Sequence, residues 1–445
     1  MRADSFGPLR ENTMKRHPGY LGCLLALLWL FWLPSGVYAA DWLATPGEPL
    51  QPLIEQATDG DQLLLPAGRY PGRVVIDRTL HIRGELQAIL DAGGHGHAVV
   101  LAAPDIIFEG VRIEDWGDNL TALEAAIFVE PSAHGSTIRN NQLSGPGFGI
   151  WLDAVNNVSV IGNTIRGDTR LRSQDRGNGI HLYNVSDSII ESNDVAQTRD
   201  GIYLDSSRHN VLRDNTLHDL RYGVHYMYSF DNRLEGNLTQ RTRTGYALMQ
   251  SKRLEVVDNR SEADDNYGIL MNNITDSLLS GNRVEGVTQP LGADGEGRLA
   301  GGDGKALFVY NSQFNRIENN RFAASDIGIH LTAGSEDNQM AGNAFIANKQ
   351  QVMYVATREQ DWSGNYWSDY LGWDLDDNGV GDTAHEPNDA MDHLLWRHPS
   401  ARLLMQSPAV LALRWVQRQF PVFRPPGVRD SAPLMSEPGR EGNAP

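Results

Sequence analysis

The chain has 445 residues, a formal net charge of −18 and a hydrophobic content of 40%. This acidic balance argues against a nucleic-acid partner and against general attraction to anionic lipid. Cys23 is the single cysteine. Internal disulfides and thiolate metal sites are therefore excluded, and a soft metal would have to be held by methionine and histidine.

The first 39 residues have the pattern of a secretory signal peptide. Lys15 and Arg16 precede an apolar run at 21–33, and residues 37–39 (Val-Tyr-Ala) fit a small-residue cleavage site. The run is too short for a comfortable membrane span. Residues 1–39 carry four basic and two acidic side chains, so their removal would leave a net charge near −20. We expect export to the periplasm.

Residues 40–126 are predicted to form an N-terminal cap and the first coils of a repeat. Residues 49–57 would form a short capping helix, and several short runs of apolar residues read as strands.

From 127 to 356 the chain repeats with a period of about 22 residues. The repeated positions are Gly179, Gly201, Gly223 and Gly245, and Asn193, Asn215, Asn237 and Asn259. A fixed period of this size indicates stacked units, and apolar alternation within each short run indicates strands. We predict an all-β fold, a single right-handed parallel β-helix. Its asparagines would form an internal amide ladder, because Asn tolerates left-handed backbone and bonds to its own copy one coil away. An ordinary β-sandwich is the alternative.

Two insertions interrupt the repeat at the same corner, at 167–176 and 287–303. Five coils separate them, which is roughly 24 Å at one strand spacing per coil. Insertions on one face often mark the binding face of a repeat protein, although tolerated surface loops would look the same.

Residues 357–400 are predicted to close the last coil, through the aromatic run at 365–370. Residues 374–382 resemble part of a calcium loop, but position twelve is His385 and not the usual glutamate. The pattern favours a plain Asx-rich turn, and we do not expect calcium.

Residues 401–445 are predicted to form a docking helix and an extended tail. Ser407 fits a helix N-cap and Pro408 the first helical position. A basic, apolar segment on an acidic protein is typical of a docking element, and a helix folded back on the solenoid is the alternative. The predicted docking residues are Val410, Leu413, Arg414, Trp415, Arg418, Phe420 and Phe423.

Strand alternation predicts which side chains face outward. If Ile202 and Leu204 point inward, the same register places four possible metal ligands on the outer face. These are His181, His225, Met227 and Met249. Met and His without Cys would suit Cu(I), held transiently. A Tyr- and Met-rich contact patch for a protein partner is the rival interpretation.

Many exported β-helices cleave polysaccharides, which needs converging carboxylates or a basic residue beside a held uronate. Asp153 and Asp205 look isolated in the outward ladder. We find no nucleophile with a base and no phosphate loop, so we predict neither catalytic residues nor a bound organic cofactor.

The signal peptide, the coils with Asn-x-apolar-x-x-Asn, and two C-terminal motifs resemble the NosD family of periplasmic accessory proteins of nitrous-oxide reductase. The motifs are 365–370 (Asn-Tyr-Trp-Ser-Asp-Tyr) and 377–382 (Asp-Asn-Gly-Val-Gly-Asp). The resemblance covers about residues 40–400. The chain departs from the family's sequence pattern at 377–379, where it has Asp-Asn-Gly, and again at 383–387.

This resemblance implies a role in building the copper–sulfur centre of nitrous-oxide reductase. It implies partnership with the ATPase NosF and permease NosY of an ABC transporter, with the copper chaperone NosL and with the reductase. The tail would then hold the protein to the permease, peripherally on the inner membrane. We therefore expect a non-catalytic adaptor that relays copper. A polysaccharide lyase or epimerase and a metal-free protein-binding scaffold are the alternatives.

Overall fold

The computed structural model describes residues 39–85, 87–289, 302, 304–355, 360–388, 392, 396, 407–419 and 427–439. The predicted signal peptide lies outside the described residues, and so do Phe420 and Phe423.

The described chain contains two α-helices and two short 3-10 turns. Helix α1 is Gln51–Gln56 and helix α2 is Pro408–Gln419; the turns are Leu120–Ala122 and Ser173–Asp175. Helix α1 corresponds to the predicted capping helix, and Pro52 stands in its first turn, where the missing N–H costs nothing.

The strands, numbered in chain order, form three parallel sheets. Sheet A contains β1 Asp41–Leu43, β2 Gln62–Leu65, β5 His81–Gly84, β8 Ile107–Glu109, β11 Thr137–Arg139, β14 Ser159–Ile161, β17 Ile189–Glu191, β20 Val211–Arg213, β23 Arg233–Glu235, β26 Glu255–Val257, β29 Leu278–Ser280, β32 Arg316–Glu318 and β35 Gln339–Ala341. Sheet B contains β3 Gly68–Pro71, β6 Ala88–Asp91, β9 Arg112–Glu114, β12 Gln142–Gly145, β15 Thr164–Gly167, β18 Asp194–Ala196, β21 Thr216–His218, β24 Leu238–Gln240, β27 Arg260–Glu262, β30 Arg283–Glu285, β33 Arg321–Ala323, β36 Ala344–Ile346 and β38 Tyr366–Trp367. Sheet C contains β4 Val74–Ile76, β7 Val99–Leu101, β10 Ala125–Val129, β13 Phe148–Asp153, β16 Ile180–Tyr183, β19 Asp200–Asp205, β22 Tyr222–Met227, β25 Thr244–Met249, β28 Tyr267–Asn272, β31 Lys305–Tyr310, β34 Ile327–Leu331 and β37 Gln350–Tyr354.

Each coil of the solenoid passes through sheet A, then sheet B, then sheet C, and every strand pairs in parallel with its equivalent in the next coil. The predicted right-handed parallel β-helix is confirmed. Each coil holds three strands. Its strands in sheets A and B, such as β20 and β21, are separated by a bend at a left-handed residue, here Asp214 with φ 55°.

The predicted amide ladder is present along the interior of this bend. In each step the backbone N–H and the Nδ2 of one Asn donate to the Oδ1 of the next, as Asn193 does to Asn215 at 3.0 Å for both bonds. The ladder consists of Asn141, Asn163, Asn193, Asn215, Asn237, Asn259, Asn282, Asn320, Asn343 and Asn365. Each amide thereby satisfies backbone groups that the bend would leave unpaired inside the protein.

Our reason for the ladder was wrong in one respect. The left-handed backbone belongs to the residue before the ladder asparagine, as at Ser192, Asp214 and Asp258, and not to the asparagine itself. The asparagine is selected for its two-sided amide, and its neighbour for tolerance of positive φ.

The core is a column of inward side chains from all three sheets, and the predicted inward pair Ile202 and Leu204 is fully buried. The insertion at 167–176 leaves the solenoid after β15, at the corner between sheet B and sheet C. Residues 287–289 of the second insertion follow β30 at the same corner, and residues 290–301 and 303 lie outside the described residues.

The C-terminal segment differs from the predicted free tail. After α2 the chain returns to the last coil, where His385 and Asp430 exchange backbone hydrogen bonds of 2.9 Å and Leu434 bridges to Tyr366 and Val380. Asp430 is fully buried and accepts hydrogen bonds from the backbone of Asn365 and from Nε1 of Trp367. Residues 427–439 are therefore part of the cap, because Asp430 supplies the acceptors that the end of the solenoid lacks.

Candidate functional site

The outer face of sheet C carries a column of outward side chains, one per coil, and all but Ala247 are large. Strand register places these residues directly above one another, at about 4.8 Å per coil. In chain order the column is Phe128, Trp151, His181, Tyr203, His225, Ala247, Leu270, Phe308, His330 and Met353. The sequence predicted its two central histidines but not the ring stack around them.

His225 is fixed by a carboxylate. Its Nδ1 lies 3.0 Å from Oδ2 of Asp200, and the guanidinium of Arg221 donates to both oxygens of Asp200 at 2.8 and 2.6 Å. Burial alone would raise the pKa of Asp200, but the hydrogen bonds from His225 and Arg221 bring that pKa below its ordinary value. Asp200 is therefore ionised and holds the ring, and Nε2 is the nitrogen that remains for a ligand.

Met227 and Met249 are direct partners on adjacent coils and are half-buried on the outer face. Their backbones are about 4.8 Å apart, and His225 lies two residues before Met227, roughly 7 Å away along the strand. The structure therefore brings His225, Met227 and Met249 together. Two thioethers and one imidazole nitrogen are ligands that suit Cu(I).

His181 belongs to a different place on the column. Tyr203 lies between His181 and His225, with ring centroids 4.5 Å from each. His181 is 8% exposed and its Nδ1 lies 3.1 Å from Nδ2 of Asn178. Burial lowers the pKa of His181 to about 3, so the ring is neutral. A single ion cannot be held by all four predicted ligands, because two coil spacings exceed the reach of one coordination sphere.

A second His–Met pair lies at the other end of the same column. His330 is the direct partner of Met353, and neither ring nitrogen of His330 has a partner among the described residues. Burial lowers the pKa of His330 to about 4. Sequence reasoning missed this pair, although its two residues lie one coil apart as Met227 and Met249 do.

No group of three His, Cys, Asp or Glu side chains in the described residues is arranged to hold a metal ion. In the loop at 374–382, the carboxylates of Asp374 and Asp382 accept backbone N–H groups of the loop itself. This is the geometry of an Asx-rich turn.

A cavity of about 590 Å³ opens on the same outer face, over β13 to β22. The insertion at 167–176 contributes Arg176, and the turn at 120–122 contributes Leu120. His181 and His225 belong to its wall together with Trp151, Tyr203 and Arg199, whereas Met227 and Met249 do not. Sequence reasoning missed Arg199 as a site residue, because it stands at the corner just before β19 and outside the repeated strand positions.

Helix α2 begins as predicted, with the Oγ of Ser407 accepting the N–H of Val410 at 3.4 Å. Leu413 and Trp415 are 55% and 63% exposed, whereas Val410 is buried at 8%. Val410 was wrongly predicted to dock, because its side chain is already covered within the chain. The C-terminal cap adds further exposed apolar side chains at Leu371, Trp373 and Leu375. In the described part of the chain, no helix is long and apolar enough to cross a bilayer.

Two solved structures share the fold. A family 28 exopolygalacturonase of Yersinia enterocolitica aligns with a TM-score of 0.55 at 10% identity, over 74% of this chain and 79% of the other. A PL6 alginate lyase bound to a trisaccharide aligns with a TM-score of 0.52 at 14% identity, over 77% and 91%. At these identities the likeness concerns the β-helix alone.

Sequence relatives are much closer. A family model described as "Periplasmic copper-binding protein (NosD)" matches residues 161–372. A Pseudomonas aeruginosa protein named "Probable ABC transporter binding protein NosD" is 57% identical over 94% of this chain and 96% of its own length. A Stutzerimonas stutzeri protein of the same name is 52% identical over 93% and 94%. The chain therefore belongs to the NosD family.

Proposed function

We propose that this protein is a periplasmic adaptor that receives Cu(I) on the outer face of sheet C and presents it to nitrous-oxide reductase. The observation that carries the proposal is the meeting of Met227, Met249 and His225 on two adjacent coils. The description of its family as periplasmic copper-binding supports the same role.

The surroundings of His225 favour a ligand role over a contact patch. A metal-binding histidine usually gives its other ring nitrogen to a carboxylate, which fixes the ring and raises its basicity. Asp200 has this relation to His225, and Arg221 holds Asp200 in turn. A shallow site of two thioethers and one imidazole suits a carrier, because a transferred ion must be bound without being enclosed.

We propose that α2 docks the adaptor on the permease NosY, which acts with the ATPase NosF, and that NosL delivers the copper. The exposed Leu413 and Trp415 support this, and so does the exposed cap loop with Leu371 and Trp373. The names of the relatives, which refer to an ABC transporter, agree with it. Docking would hold the protein at the inner membrane without a span of its own.

We also propose that the protein does no chemistry on a polysaccharide. Asp153 and Asp205 lie on the outer face of sheet C, next to the column of rings. They are two coils apart, and Tyr183 lies on the coil between them. The Asp200 carboxylate is committed to Arg221 and His225.

The proposal is tested by titrating the protein with Cu(I) against a chromogenic Cu(I) chelator. The double variant M227L/M249L keeps the apolar volume and removes both thioethers, so we expect at least a tenfold loss of affinity. Met271 is fully buried and faces the core, so M271L is the matched control and should bind as the parent does. If M227L/M249L and the parent bind Cu(I) with equal affinity, the two methionines are not copper ligands, and a metal-free scaffold is favoured. In that case H330A/M353A would show whether the second pair holds the ion instead.

A further inference from the structure

The cavity on sheet C has a wall of aromatic rings that copper binding does not need. Trp151 and His181 stack with centroids 3.8 Å apart, and Tyr203 continues the wall at 4.5 Å from His181. Phe148 packs edge-on against Trp151 at 4.8 Å. Trp151 and Phe148 form an outer apolar cluster with Leu120 and Leu123, separate from the core. The cavity therefore offers a flat apolar surface to a ligand that has a flat apolar side of its own.

Three buried polar atoms on residues of this cavity lack any protein partner among the described residues. They are Nε1 of Trp151, Oδ1 of Asn178 and Nε of Arg199. Trp151 and Asn178 are only 6% and 7% exposed. A buried polar group without a hydrogen-bond partner destabilises the folded protein. Three such groups in one cavity indicate a binding site whose ligand supplies the missing hydrogen-bond partners.

Among the described residues, Arg199 is the cation of the cavity that has no ion pair and whose Nε has no hydrogen-bond partner. Arg221 is neutralised by Asp200, and the Nη1 of Arg176 donates to the carbonyl of Gln197 while its Nε and Nη2 donate to that of Leu171. Arg199 forms no ion pair with the described residues, although it lies close enough to oppose protonation of His181. A ligand carboxylate would meet this guanidinium.

The remaining polar groups require a ligand that both donates and accepts. Oδ1 of Asn178 and the carboxylates of Asp153 and Asp205 on the wall are acceptors, whereas Nε1 of Trp151 is a donor. A hydroxyl satisfies either kind. An acidic peptide carries a carboxylate on each residue and no hydroxyls, so its side chains would face the two aspartates with like charge.

We propose that this cavity binds an acidic saccharide, a sugar ring that carries a carboxylate. The carboxylate pairs with Arg199, the apolar side of the ring lies on Trp151 and Tyr203, and the hydroxyls bond to Asn178, Asp153 and Asp205. The site shares His225 as a wall residue with the proposed copper site, but Met227 and Met249 lie outside its wall.

The test is calorimetric titration of the full mature chain with trigalacturonate, with maltotriose as the neutral control. A disaccharide containing muramic acid, the acidic sugar of the cell wall, distinguishes the source of the carboxylate. We expect saturable binding of at least one acidic sugar, at least tenfold tighter than that of maltotriose. Binding to neither acidic sugar, or equal binding of maltotriose, would overturn the proposal.

The variant R199Q removes the guanidinium of Arg199 and leaves the proposed metal ligands unchanged. It should weaken binding of the acidic sugar at least tenfold. Arg243 occupies the equivalent place two coils further on, outside the cavity, so R243Q is the matched control. Equal affinity of R199Q and the parent, or tighter binding of a tri-glutamate peptide than of either acidic sugar, would contradict the assignment. Circular dichroism of both variants checks that the solenoid is intact.

Discussion

At the scale of single residues, the protein uses its buried polar groups in two ways. Most are fully satisfied, as in the amide ladder, and support the backbone. A few remain available to a ligand. Asp200 holds His225 through one ring nitrogen only, and Oδ1 of Asn178 in the cavity has no partner among the described residues. Because an unsatisfied group is costly in a stable interior, the unpaired groups beside the cavity support the binding site that we propose there.

One buried acid should make stability depend on pH. Asp264 is 1% exposed and accepts hydrogen bonds from Thr239, Thr242 and Ser261. Burial raises its pKa to about 6, although these hydrogen bonds oppose the shift. The pKa of Asp264 is higher in the folded protein than in the unfolded chain. The stability that Asp264 contributes is therefore complete below the unfolded pKa of 3.8 and is lost as the pH rises through 6.

We therefore expect D264N to reduce this pH dependence. The shift corresponds to about 3 kcal/mol over the whole window, roughly half of it between pH 5 and 7.5. Urea unfolding at these two pH values should show that the parent loses more stability than D264N, by roughly half of these 3 kcal/mol. A difference of equal size in both proteins would show that Asp264 is ionised throughout.

At the scale of elements, the β-helix depends on register, because each side chain meets its equivalent in the next coil. The ladder makes this dependence measurable. Asn237 is fully buried, donates to Leu212 and Asn259, and accepts from Asn215.

The variant N237A should lower the free energy of unfolding by about 3 kcal/mol, because it leaves several buried backbone and amide groups without partners. The side chain of Arg260, on the next coil, forms an exposed ion pair with Glu262 and no other ion pair among the described residues, so R260A should cost less than about 1 kcal/mol. Denaturant unfolding followed by far-ultraviolet circular dichroism compares the two. Equal effects would mean that the ladder adds no more than a surface contact.

Helix α2 is the element that we expect to dock. Replacing residues 401–426 with a Gly-Ser linker of equal length removes the helix and keeps residues 427–439 in the cap. We expect the solenoid to fold and co-purification with the NosF–NosY transporter to be lost. A variant with only Leu413 and Trp415 changed to Ser tests whether the exposed side chains are responsible. Unchanged co-purification of the linker protein would contradict docking by α2.

At the scale of the whole molecule, the solenoid is a stack whose two ends must be closed, since the last coil has no successor to satisfy it. Helix α1 lies at one end and residues 427–439 complete the other. A chain that ends near residue 407 would therefore lose part of the cap together with the docking helix, so the two effects could not be separated.

Asp430 makes the closure at the C-terminal end testable. The variant D430A leaves the N–H groups of Gly364 and Asn365 and the indole of Trp367 without their acceptor. We expect a loss of about 3 kcal/mol, with faster amide hydrogen exchange in β36 and β38 than in β20 or β21. D382N, in the exposed loop, is the control. Slow exchange in β36 and β38 of D430A would show that the last coil is closed without this carboxylate.

The sequence by itself determined the kind of fold, the period and the ladder, because these follow from local patterns that recur at a fixed interval. It also determined that Met227 and Met249 are neighbours, since they lie one period apart. The tertiary structure decided the rest. Asp200 fixes His225 only because the corner of one coil lies against the strand of the next, and Asp430 caps the solenoid from 65 residues beyond Asn365. Contacts of this kind join residues that share no period, so they arise only when the coils are stacked and the chain end has returned.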